Sequence, residues 1–242
     1  MRGTMQNQVE MLSRHIEFLK SLDTEEFYNK DEGEVKNYAH DTIQELIRLG
    51  SEATTELLSL LQTEFTWSCF FALTIIRETK DPSAVPALLA FLKKESDDSM
   101  ANEEAMFALQ DIGDSSIVPL MEHLEELFEN KQYNFYLVGA LTGIIGPAPY
   151  EFMVKITTDF ISRPSHYKGW FYIEDFTYNF VKQQRAEALP FLKQILEMKE
   201  LSNTERQELR DTLRALEDPA QYEKEIEQTA DEIAGATRRD SA

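Results

Sequence analysis

A segment that recurs at an offset of 33 residues constrains this chain more than any other feature. Asp81-Pro82-Ser83-Ala84-Val85-Pro86-Ala87-Leu88-Leu89-Ala90-Phe91 aligns with Asp114-Ser115-Ser116-Ile117-Val118-Pro119-Leu120-Met121-Glu122-His123-Leu124, setting Val85 over Val118, Pro86 over Pro119, Leu88 over Met121 and Phe91 over Leu124. A third copy, Ala186-Glu187-Ala188-Leu189-Pro190-Phe191-Leu192-Lys193-Gln194-Ile195, keeps the apolar-Pro pair and the spacing to Leu192 and Ile195. Weaker copies without the internal proline lie at 51–61 and 147–161. One unit of this length cannot bury its own apolar face and must stack on its neighbours. Val85, Leu88, Val118, Met121, Leu189 and Leu192 are therefore the expected core.

Between the copies lies a second recurring element. Ala72-Leu73 with Ile76, Ala108-Leu109 with Ile112, and Ala140-Leu141 with Ile144 share the spacing of one apolar helical face. Each unit then reads as helix, short turn, helix, the first opening at an Asp or Ser cap and tolerating Pro in its first turn. Two further helices near 5–21 and 34–49 read as an N-terminal pair. Polar turns are expected at Ser96–Ser99 and Ile161–His166, Gly139-x-x-x-Gly143 reads as close helix packing, and no strand is expected in 51–216.

The pattern resembles the HEAT-like repeat family, whose signature is close to Leu-Gly-Asp-x-x-Ala-Val-Pro-x-Leu. The nearest stretch is Ala108-Leu109-Gln110-Asp111-Ile112-Gly113-Asp114-Ser115-Ser116-Ile117-Val118-Pro119. The resemblance implies an all-α fold, a right-handed α-α superhelix of the HEAT-like or armadillo type with about five to six helix pairs. Residues 1–50 would be an N-terminal helical cap, 51–216 the repeat array, and 217–242 an acidic C-terminal helix with a frayed tail from Gly235. In one respect the chain departs from the family: an Arg is common early in the second helix, where Thr66-Trp67, Asn102-Glu103 and Asn134-Phe135 stand here.

Charge narrows the function. There are 44 Asp+Glu against 24 Lys+Arg, a formal net charge of −20, and each third of the chain is net negative. Nucleic-acid binding needs clustered Lys/Arg to neutralise phosphates, and no such cluster occurs. The acidity reads either as a solvated surface or as electrostatic steering toward a basic protein or peptide partner. No apolar run reaches the length of a membrane span, and the first six residues lack a signal-peptide core. The expectation is a cytoplasmic, reduced protein without a membrane association. The lone Cys69, inside an apolar run, reads as an inert buried thiol. His15, His40, His123 and His166 stand singly, without metal-ligand spacing. Asp31-Glu32-Gly33-Glu34 fails as a calcium loop because Tyr28 occupies its first position. No glycine-rich phosphate motif occurs, so no catalytic residue, cofactor or metal is expected.

Tyr167-Lys168-Gly169-Trp170-Phe171-Tyr172-Ile173-Glu174-Asp175-Phe176-Thr177-Tyr178-Asn179-Phe180 breaks the repetition. Read as a helix, it sets Trp170, Ile173, Thr177 and Phe180 on one face and Tyr172, Phe176 and Asn179 on another. Two readings stand: bulky core, or an aromatic-acidic strip bordered by Tyr133, Asn134, Glu174 and Asp175. Asn102 and Asn134 each stand seven residues before Leu109 and Leu141, which suits a surface-facing position. The family resemblance implies second helices lining a concave side. Trp67, Asn102, Glu103, Tyr133, Asn134, Trp170, Glu174, Asp175 and Tyr178 would form a protein-binding ribbon there. The expected function is an adaptor or scaffold that binds a basic protein or peptide and needs no catalysis. The resemblance implies one alternative, a bilin lyase attaching chromophores to phycobiliproteins.

Overall fold

The computed structural model describes residues 2–62, 65–94, 99–183, 186–199, 201–222 and 224, and among them every regular element is helical. In chain order these are α1 (Arg2–Lys20), α2 (Glu25–Tyr28), α3 (Glu32–Leu49), α4 (Ser51–Leu58), α5 (Trp67–Thr79), α6 (Val85–Leu92) and α7 (Ser99–Ile112). There follow α8 (Asp114–Glu129), α9 (Phe135–Gly143), α10 (Pro147–Ser162), α11 (Pro164–Tyr167), α12 (Ile173–Lys182), α13 (Leu189–Leu196) and α14 (Asn203–Glu217). Short 3-10 turns at Pro82–Ala84 and Ala186–Ala188 lead into α6 and α13. The turn expected at Ser96–Asp98 and the tail from Gly235 lie outside the described residues, as does most of the expected C-terminal helix.

Local chemistry sets the helix ends. Asp31 caps α3 by accepting from the Glu34 amide at 3.0 Å, and Thr66 caps α5 through the Cys69 amide at 3.1 Å. Asn134 caps α9 through the Leu137 amide at 3.0 Å. Ser202 and Glu205 form a reciprocal capping box at α14. Lys80, left-handed at φ 53°, ends α5. Asp81 then accepts from the Ser83 amide at 2.9 Å and the Thr54 hydroxyl at 2.6 Å, joining α4 to the start of α6.

The chain forms two compact units: residues 1–129 with 134–144, and residues 130–133 with 145 onward. The division falls inside the span read from sequence as one array, where extended Ile144 and Gly146 and the prolines 147 and 149 interrupt helical geometry. In the first unit α5 packs against α1, α3, α4 and α7, and α7 against α6, α8 and α9, so α3, α5, α7 and α9 touch in succession. In the second unit α10 packs on α12 and α13, and α14 on both α12 and α13.

Val85, Leu88 and Leu192 are buried as expected, whereas Val118 is 61% exposed and Met121 and Leu189 are half-buried. The first and third copies share a 3-10 turn before the helix and bury equivalent residues: Ala84 with Ala188, Leu88 with Leu192, Phe91 with Ile195. The second copy has no such turn. Helix α8 starts directly at Asp114 behind left-handed Gly113, which shifts its phase, so it buries Ser116 and Leu120 in place of Val118 and Met121, while Leu124, aligned with buried Phe91, and Phe128 complete its buried face. Pro119 consequently lies inside α8, where it withholds the N–H that would meet the Ser115 carbonyl.

Gly139 and Gly143 let α9 approach α7. A Cβ at Gly139 would lie 2.6 Å from the Met106 sulfur, and one at Gly143 would lie 2.3 Å from the Gln110 amide. That amide is pinned, since it donates to the Gly139 carbonyl at 2.9 Å. Two substitutions on aligned positions test the register. Leu88→Asp buries an unpaired charge and should cost several kcal/mol, while Val118→Asp should leave the Tm within about 1 °C of the parent. Thermal melts of the two variants would contradict the assignment if they shifted equally.

Candidate functional site

The most unusual charge arrangement among the described residues joins α5 to α7. On α7, Met100, Glu103, Glu104, Phe107 and Asp111 recur at helical spacing and fall on one face. Arg77, near the end of α5, reaches this face. Its Nε donates to Asp111 Oδ2 at 2.7 Å, and its Nη1 lies 3.6 Å from Glu104 Oε1. Its guanidinium rests 4.8 Å from the Phe107 ring centroid, a cation–π geometry.

Glu104 is the strained member. Its Oε2 is buried and accepts no hydrogen bond. Burial pushes its carboxyl above the usual range, and the attraction of Arg77 only partly opposes this. Arg77 is itself held protonated, chiefly by its bond to Asp111. The arginine is thus committed to Asp111, leaving Glu104 with a longer electrostatic contact in place of a hydrogen bond. The arrangement can accept a further cation, because the charges of Arg77 and Lys36 only partly offset the desolvation of Glu104.

Fewer of the sequence-predicted residues share a surface than expected. Glu103 is exposed beside this cluster. Trp67 is 4% exposed and donates its indole N–H to the Phe27 carbonyl at 3.1 Å. Asn102 is 3% exposed. Asn134 is the α9 cap, and its Nδ2 donates to the Leu92 carbonyl at 2.9 Å. The two asparagines share a spacing to leucine without sharing a structural position, because Asn102 lies within α7 whereas Asn134 precedes α9 as its cap. The expected surface-facing repetition is corrected on that ground.

In the second unit Trp170 lies in a turn, not a helix. Left-handed Gly169 and extended Tyr172 delay α12 to Ile173. Trp170 is half-buried, its indole N–H donating to the His166 carbonyl at 2.7 Å. Tyr133 is half-buried against Phe171 and Tyr172, at 5.8 and 5.1 Å between centroids. Tyr167, Phe171, Phe176 and Phe180 are core, while Tyr172 is exposed, so the bulky-core reading holds for most of this stretch. The side chains of Glu174, Asp175 and Tyr178 lie outside the described residues. Nearby, Asp159 accepts from both Arg163 and the Tyr167 hydroxyl, which holds its carboxyl below the usual range, with Arg163 the leading cause. Burial and that bond keep the Tyr167 phenol protonated.

Sequence reasoning missed Arg77, Glu104 and Asp111 as members of a site. One signal was available: opposite charges about one repeat apart, as in Arg77 with Asp111, or Lys93 with Glu126 at 3.1 Å. Equivalent positions of stacked units are spatial neighbours. Among the described residues no group of three His, Cys, Asp or Glu is placed to hold a metal ion, and no helix is long and apolar enough to cross a membrane. Cys69 is buried, its Sγ 3.7 Å from the Gln62 carbonyl.

Compared with protein-family models, curated proteins and solved structures, the chain matches none.

The Glu104 environment sets a sign for pH dependence. A carboxyl raised above its ordinary 4.5 costs stability above its folded pKa, and that cost is relieved as pH falls toward 4.5. Glu104→Gln should therefore raise the Tm by about 1–3 °C at neutral pH, with the gain shrinking on acidification. A constant difference from neutral pH down to the ordinary carboxylate range would contradict this.

Proposed function

We propose that the chain is a protein-binding module built from HEAT-like helix pairs, and that it takes up a basic segment on the exposed face of α7. The succession of α3, α5, α7 and α9 in one unit, with α14 on α12 and α13 in the other, supports the helix-pair reading. The observation that carries the binding reading is Glu104: a half-buried carboxylate with one oxygen lacking a hydrogen-bond partner, between exposed Glu103 and Asp111. A lysine or arginine docked on this face adds a positive charge beside the incompletely compensated carboxylate. The net charge of −20 favours encounter with a basic segment, and Met100 and Phe107 offer apolar contact beside the charges.

Rim and half-buried charges have separable kinetic effects. Against a lysine-rich peptide, Glu103→Lys should slow association by about 3- to 10-fold and weaken its salt dependence. Glu104→Gln should chiefly speed dissociation, since it removes the contact made after docking. Stopped-flow association and dissociation rates separate the two effects. If both variants bind as the parent does, α7 is not the interface.

A further inference from the structure

A second surface in the first unit has chemistry of its own. Phe18 on α1, Phe27 on α2 and Tyr38 on α3 form a contiguous aromatic cluster. The Tyr38 ring stacks on Phe18 at 5.6 Å and 21°, and contacts Phe27 at 5.1 Å. Tyr38 is nevertheless 61% exposed, so the ring is held in place from below and open above. The anchoring extends inward, because the Phe27 carbonyl accepts from the Trp67 indole. The contacts with Phe18 and Phe27 pre-position the ring, which lowers the ordering cost to a partner.

The cluster already binds one cation. Lys30 Nζ lies 4.7 Å from the Phe27 centroid while pairing with Glu26 at 3.2 Å, an ammonium held between a ring and a carboxylate. Tyr38 offers the same pairing to an outside group. Glu34, one turn before it, and Asp41, three residues after it, share its face of α3 and are exposed. A guanidinium stacked on Tyr38 would therefore have a carboxylate on either side. An apolar partner would gain the ring but leave two carboxylates facing it, so charge complementarity selects a cation.

We propose that the aromatic cluster joining α1, α2 and α3 is a docking surface for an arginine-bearing segment of a partner protein, with Tyr38 as the stacking platform and Glu34 and Asp41 as counter-charges. Arginine is preferred to lysine because its planar, weakly hydrated guanidinium both stacks and pairs. The surface is distinct from the α7 face and does not depend on it.

The test uses the full chain and three labelled peptides of equal length, repeating Arg-Gly, Lys-Gly or citrulline-Gly, at physiological ionic strength. Fluorescence anisotropy should rank arginine above lysine and lysine above citrulline. Tyr38→Ala should weaken the arginine peptide by about 3- to 10-fold and erase its advantage over lysine. Tyr38→Phe, which keeps the ring, should stay within about twofold of the parent. Glu34→Gln with Asp41→Asn should weaken binding and flatten its salt dependence, and unchanged thermal melts would show that each variant is folded. The proposal is overturned if Tyr38→Ala binds like the parent, if Tyr38→Phe falls as far as Tyr38→Ala, or if citrulline binds as tightly as arginine. Should Glu103→Lys alone weaken the arginine peptide, this surface fails while the α7 reading stands; should only the Tyr38 variants do so, the reverse holds.

Discussion

Helix α5 has no polar face. From Trp67 to Leu73 every residue is buried, and Ile75 and Ile76 follow. A helix apolar all round must be covered on every side, which is why α1, α3, α4 and α7 all pack against it. Its ends are the only places where it can carry polar chemistry, and both are used. At the N-terminus, Asp23 accepts from the Ser68 amide at 2.9 Å and the Ser68 hydroxyl at 2.5 Å. The Trp67 indole meanwhile holds Phe27. At the C-terminus Arg77 emerges beside Phe107 and reaches the carboxylates of α7.

The two candidate surfaces thus share a cause. Covering α5 brings α2 against its first turn and α7 along its length, and each contact leaves a ring beside a cation: Phe27 under Lys30, Phe107 under Arg77. The electrostatics differ. Lys30 and Glu26 are a solvent-screened pair worth little to stability. Glu104 pays for desolvation without a hydrogen bond to its inner oxygen, a local expense that a purely structural surface position would not need.

How much of this was legible follows from where the information resides. The all-helical class and most helix spans were readable because apolar spacing and capping residues are local: Asp31, Thr66, Asn134 and Ser202 each cap a helix within a few residues of themselves. The phase of α8 was not readable from alignment. Asp81 and Asp114 match as letters, yet the chain enters α6 through the 3-10 turn Pro82–Ala84, whereas α8 starts directly behind left-handed Gly113. That difference rotates the buried face and exposes Val118. The Asn102 and Asn134 equivalence failed for a related reason, since a constant distance to a leucine does not fix where the helix begins.

Aromatic density proved a poor guide to surface. The richest stretch, Tyr167 to Phe180, is mostly core, where Phe160, Tyr167, Phe171 and Phe176 interlock at centroid distances of 4.9–5.8 Å. The exposed Tyr38 sits instead at the edge of a helix face already filled by Val35, Ala39, Thr42, Ile43 and Leu46. What separates the two cases is amphipathic context. In α3 the core face is complete without Tyr38, so the ring is surplus to burial, and carboxylates one turn away on the same face keep it wet. In α12 the buried set Ile173, Phe176, Thr177 and Phe180 uses the aromatics themselves as the core face. A ring that the core does not need, fixed by other rings and flanked by charge, is free to contact a partner; a ring that completes the core is not.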